Sequence, residues 1–138
     1  MTKLSVIYEN FLSKVSDYSL LEITPDELDE ELLGYFKSAK AIFYKCKKDL
    51  TIIDDKSVVG DLTDYEIEIL TKLMVVEYMK PIILSSETLR QSLSDKDFKI
   101  YSQANQLREL NLLYRLFQKE SKKMMTEYSY MGMTDDDY

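Results

Sequence analysis

The chain has no histidine and no tryptophan, and only one cysteine, two prolines and three glycines among 138 residues. Each shortage removes a class of protein. Without histidine, both the commonest general acid/base and the commonest zinc ligand are gone. Cys46 alone can neither close an intramolecular disulfide nor build a structural zinc site; it reads as a small core residue in a reducing compartment. Gly34, Gly60 and Gly132 lie too far apart for a phosphate-cradling loop. No serine sits in a nucleophile elbow, and none has a histidine to activate it. So few chain breakers argue against a many-stranded sandwich or barrel, which needs frequent turns. No run of 18 apolar residues occurs, so no membrane span is expected. The opening MTKLSVIYENFLSKV lacks the apolar core and small-residue cleavage site of a secretory leader.

What is present favours a folded helical chain. At 45% hydrophobic and 31% charged residues, the composition is too apolar for disorder, and the length suits a single domain with its own core. Eighteen basic against 25 acidic residues give −7, the wrong sign for a protein that grips nucleic acid by its phosphates. The same charge suits a surface past which DNA slides without sticking.

Hydrophobic spacing places four helices. Leu4, Ile7, Tyr8, Phe11, Leu12 and Val15 share one face of a helix ending near Val15. Thr24-Pro25-Asp26-Glu27 supplies a capping hydroxyl, a proline at the first helical position and a glutamate to close a capping box. The helix it opens is expected to reach Lys48, with Leu28, Leu32, Tyr35, Phe36, Ala39, Ile42, Phe43 and Cys46 in one stripe. Its acidic start and basic end both suit the helix dipole. Thr63-Asp64-Tyr65-Glu66 is a second capping box. The helix after it is apolar around almost its whole circumference and is therefore expected to be central. Pro81 either kinks or ends it. Ser94 and Asp97 cap a last helix running to about Tyr128, some ~50 Å at about 1.5 Å per residue. Residues 49–62 change to short β-favouring runs around Asp54-Asp55-Lys56-Ser57. The fold class is thus all-α: a small helical bundle with a long C-terminal helix and one short hairpin or extended loop near residues 49–62. Residues 1–130 form one helical domain, and 131–138 an acidic tail without fixed structure.

The carboxylate clusters do not make a metal site. Counting Asp55 as position one of a calcium loop puts Ser57 third, Gly60 sixth and Glu66 twelfth, but Val59 stands fifth, where an oxygen ligand belongs. No cofactor, metal or catalytic residue is assigned, and the chain reads as a non-enzyme. Lys37, Lys40, Lys45, Lys47 and Lys48 form a basic concentration that reads as a solvated face.

The last helix carries two apolar stripes. The wide one holds Ile100, Leu107, Leu110, Leu113, Tyr114, Phe117, Met124, Met125 and Tyr128; the narrow one, roughly opposite, holds Phe98, Tyr101, Leu112 and Leu116. Either both are buried in one four-helix core, or the narrow one is covered by another subunit. Eleven tyrosines, five phenylalanines and seven methionines favour an interface, because these types are enriched in interface cores. The candidate subunit-contact residues are Phe98, Tyr101, Leu112, Leu116, Tyr128, Tyr130 and Met131. Ile52, Ile53, Asp54, Asp55, Lys56, Val58 and Val59 are candidates to reach a neighbour or a lumen.

From Leu62 to Tyr130 the sequence resembles the small helical neck proteins of long-tailed bacteriophages of Gram-positive hosts, the head–tail connector or adaptor (head-completion) proteins. The resemblance lies in Leu62-Thr63-Asp64-x-Glu66, the Lys80-Pro81 break, the Ser94–Lys99 helix start followed by Ile100-Tyr101-Ser102-Gln103-Ala104-Asn105, and the tyrosine-rich end. It covers about half the chain. It implies a virion protein of the neck, assembled in the host cytoplasm as a homo-oligomeric ring, commonly of twelve subunits. Its partners would be the portal protein and a further neck or tail protein, with DNA passing through unbound and no membrane involved. The competing class is a cellular helical adaptor or regulator that binds a partner protein through the exposed apolar face.

Overall fold

Thr63 and Glu66 close a reciprocal capping box. The Thr63 N–H donates to Glu66 Oε1 at 2.8 Å, and the Glu66 N–H donates to Thr63 Oγ1 at 3.2 Å. Two orphan donors at a helix start are thereby satisfied. The computed structural model describes residues 1–17, 25–92 and 99–136, with side chains described for 1–15, 30–84 and 108–131. In chain order its elements are β1 (Thr2–Lys3), α1 (Leu4–Asp17), α2 (Pro25–Ile42), β2 (Ile52–Ile53), β3 (Ser57–Val58), α3 (Asp64–Ser92) and α4 (Lys99–Asp136). The fold is mostly helical with a small three-stranded sheet and a long C-terminal helix.

The capping box opens α3, and α3 is the hub: α1, α2 and α4 each pack on it. Its all-round apolar pattern finds cover on every side, with Ile69, Leu70, Met74, Val75 and Met79 buried. α1 contributes Leu4, Ile7, Phe11 and Val15, α2 contributes Leu32, Phe36 and Ala39, and Phe43 follows just past the end of α2. Each of these side chains except Ala39 stabilises the fold by about 1.5–3 kcal/mol relative to its exposed state. Phe11, Tyr35 and Tyr78 meet as an aromatic trio with centroids 5.8–6.1 Å apart, tying α1, α2 and α3 together.

Two helix ends differ from the sequence expectation. α2 ends at Ile42, six residues short of Lys48. The Lys47 N–H, which a longer helix would turn back on Phe43, donates instead to the Tyr128 hydroxyl of α4 at 2.9 Å, so a tertiary contact takes the bond. Ile42 is exposed, and Cys46 lies beyond the helix. Of the two outcomes expected at Pro81, an end is excluded: α3 runs through it and forgoes one backbone bond there. α4 extends to Asp136 through Gly132, where a structureless tail was expected from residue 131. One interior glycine costs a helix only about 1 kcal/mol relative to alanine. The Ser94–Asp97 cap and the side chains of the Thr24–Glu27 box lie outside the described residues.

The 49–62 segment is a hairpin with an addition. β2 and β3 pair antiparallel, Ile52 with Val58 and Ile53 with Ser57, and β1 joins the other edge of β3, Thr2 with Val58 and Lys3 with Ser57. The Lys56 N–H donates to the Ile53 carbonyl across a turn whose two central residues, Asp54 and Asp55, have φ of 52° and 55°. Aspartate is among the few non-glycine residues that tolerate this left-handed region. Gly60 is required for a different reason. A Cβ there would come within 2.8 Å of Lys48 Cβ and 2.9 Å of the Asp49 carbonyl oxygen.

Candidate interaction surface on helix α4

The two stripes of α4 have separate fates. The described part of the wide one faces α3: Phe117 and Tyr128 are buried, and Leu110, Leu113, Tyr114, Met124 and Met125 pack half-buried against the core, while the side chains of Ile100 and Leu107 lie outside the described residues. Of the narrow one, Leu112 is 61% exposed and Leu116 47%. Tyr130 and Met131 are also exposed. Phe98 and the side chain of Tyr101 lie outside the described residues. Four of the seven candidate contact residues are therefore at the surface.

Tyr128 is not one of them. At 8% exposure it anchors α4 inside its own subunit. Its hydroxyl donates to Glu66 Oε2 at 2.6 Å and accepts from the Lys47 N–H. Its ring makes an edge contact with Phe43 at 5.1 Å and stacks near Tyr65 at 6.4 Å. Burial raises its pKa above the usual tyrosine value, and the bond to Glu66 adds to the rise. The Glu66 carboxyl, itself buried, thus serves the α3 cap on one oxygen and α4 on the other. The Cys46 thiol lies 3.9 Å from that second oxygen, with its pKa raised chiefly by burial. This cluster is a structural joint of three segments.

A second joint spans α1, α3 and α4. Lys14 Nζ meets Glu68 at 2.8 Å, while Lys72 Nζ reaches Glu68 at 3.8 Å and Glu120 at 2.5 Å. Lys72 also lies 5.5 Å from the centre of the Phe117 ring. Both Lys72 contacts hold α4 by its inner edge, leaving the opposite face open.

The hairpin candidates divide as well. Val58 is fully buried in the subunit core, so it cannot reach a neighbour, and Ile52 and Ile53 are half-buried. Asp54, Asp55, Lys56 and Val59 are exposed. With Lys3, Leu4, Tyr8, Glu30 and Leu33, the turn borders a groove of about 580 Å³ between α1, α2 and the sheet. Among the described residues no three His, Cys, Asp or Glu side chains converge as a metal site, and no helix is long and apolar enough to cross a membrane.

The charge on α4 is gathered in space rather than along the chain. Arg108, Arg115, Lys119, Lys122 and Lys123 are all exposed and fall with Leu112, Leu116 and Tyr130 on one face of α4. At 3.6 residues per turn that face covers about a third of the circumference. Plotting charges as well as apolar residues on the helical wheel would have found it. By contrast, the lysines at the end of α2 are dispersed: Lys40 donates to the Leu50 carbonyl at 3.2 Å, and Lys45 lies 5.9 Å from the ring centre of Tyr44.

Compared with protein-family models, curated proteins and solved structures, the chain matches none.

Proposed function

We propose that the chain is a non-catalytic structural subunit, a head–tail connector protein that assembles as a homo-oligomeric ring between portal and tail and lets the genome pass. The observation that carries this reading is the open row of α4: two leucines one helical turn apart, exposed beside Tyr130, on a helix that, among the described residues, packs through its opposite side. Apolar residues adjacent on an exposed helix face mark a protein contact more often than isolated ones do. The motifs between Leu62 and Tyr130 supply the kind of assembly, and the net charge of −7 suits a conduit that must not retain DNA. Localisation in the virion neck and a twelve-fold ring belong to the same proposal.

Electron microscopy of the purified chain, alone and with the products of its neighbouring genes, tests it. Rings are expected, with portal, capsid and tail genes alongside. A chain that forms no ring alone or with those products, and whose neighbouring genes encode no virion parts, is instead a cellular adaptor.

A further inference from the structure

The exposed face of α4 from Arg108 to Tyr130 is ~33 Å long at about 1.5 Å per residue. Leu112 and Leu116 run along it between a cationic edge, Arg108, Arg115 and Lys119, and a flank that begins with Glu109. Residues 108–131 hold five cations and three carboxylates, so a chain of −7 overall carries −9 outside this segment. The molecule is electrically polar, with its positive patch set on an apolar row. That arrangement is unsuited to pairing with itself across a two-fold axis, because the cations would face each other.

The groove beside the hairpin has a mixed border in which carboxylates outnumber cations by one. Leu4, Tyr8 and Leu33 give it apolar lining, and Glu30, Asp54 and Asp55 stand on its border together with Lys3 and Lys56. The paired left-handed backbone at Asp54 and Asp55 presents two adjacent exposed carboxylates at the turn. We infer that this groove receives the outer face of α4 from a second copy of the chain, with Leu112 and Leu116 seated against its apolar lining. Arg115 and Lys119 then meet Glu30, Asp54 and Asp55, while Glu109 is available to Lys3 or Lys56. The contact is head-to-tail, so each copy offers one α4 face and one groove, which is what a closed ring needs. This rests on the reading that the chain assembles with itself, and it names the surfaces.

Charge swapping tests the pairing. Reversing α4 with Arg115→Glu and Lys119→Glu, or altering the groove with Glu30→Lys, Asp54→Asn and Asp55→Asn, is expected to weaken self-association about tenfold or more in either case. Asparagine keeps the left-handed turn. Combining both sets is expected to recover most of the loss, with helix content by circular dichroism unchanged throughout. Self-association of the unaltered chain should also fall toward about 1 M salt, where the screening length shrinks to about 3 Å. Zero-length carboxyl–amine crosslinking in a mixture of isotopically light and heavy chains should join Lys119 of one copy to the turn of another. Rings that tolerate either set of changes, or that the combined set does not restore, overturn this contact and leave the connector reading intact. Absence of rings from the unaltered chain and its gene neighbours counts against that reading as well. A chain that stays monomeric yet binds a labelled DNA duplex, and loses the duplex on Lys119→Glu, assigns the face to phosphates and overturns the inference.

Discussion

The two long helices look alike in sequence, and the structure treats them differently. Both α3 and α4 carry apolar residues on more than one side. α3 is enclosed by α1, α2 and α4, whereas α4 has α3 along one side. The lesson is about supply: apolar pattern on a helix states a demand for cover, and whether the demand is met depends on how many partner faces the chain provides. Here α1 and α2 turn their stripes to α3, and among the described residues none covers Leu112 and Leu116.

The sharpest way to break the comparison is in the core of α3. Met74→Ala is expected to cost about 2–5 kcal/mol by chemical denaturation, since a fully enclosed site cannot collapse around the lost atoms. A loss below 1 kcal/mol would mean that α3 is not the enclosed helix. Gly60→Ala comes next, at about 1–3 kcal/mol, because the added methyl must push into Lys48 or the Asp49 carbonyl. An unchanged denaturation midpoint would show that the hairpin base yields freely.

Tyr128→Phe separates anchoring from packing on α4. It keeps the ring but leaves the Lys47 N–H without its acceptor and removes the donor to Glu66. About 1–3 kcal/mol should be lost. The same variant has a pH signature. In the fold the Tyr128 hydroxyl has a raised pKa, and Tyr35 is pushed up to about 12 by burial and the nearby Glu31. A tyrosine held neutral in this way contributes stability that is complete below the unfolded value of about 10 and is lost as pH climbs through the folded value. Thermal midpoints should therefore begin to fall above about pH 10, and less steeply in Tyr128→Phe than in the parent. Equal slopes would remove Tyr128 from the account.

The smallest effect on folding is expected at Leu112→Ser with Leu116→Ser, within about 0.5 kcal/mol per site, alongside impaired assembly. A large folding loss would place these side chains inside the subunit and erase the contrast between the helices.

The sequence made much of this visible, for identifiable reasons. Local signals are read locally, so the Thr63–Glu66 box, the turn at Asp54-Asp55 and the two sides of α4 are legible in the sequence. What depended on distant partners was not. No residue near Lys48 announces that its backbone is claimed by Tyr128, so the end of α2 was placed too late. Tyr128 has interface chemistry and a core position, and only Glu66 and Lys47 decide between them. The pairing of Thr2 and Lys3 with β3 had no signal either, because two residues carry no period. Among candidate contacts, Leu112 and Leu116 could be read from the wheel, while the cations beside them were missed because they are spread over 16 residues of chain.

That three helices share α3 and, among the described residues, otherwise make few contacts with one another bears on how the molecule breathes. α4 can detach by opening its contacts with α3 and its two polar joints while α1, α2 and α3 stay packed. Native-state hydrogen exchange should thus resolve two tiers, with α4 amides opening at lower free energy than those of α3 around Met74. A neighbour seated on the outer face of α4 would lift the lower tier toward the upper, so that assembly would make one cooperative unit out of two.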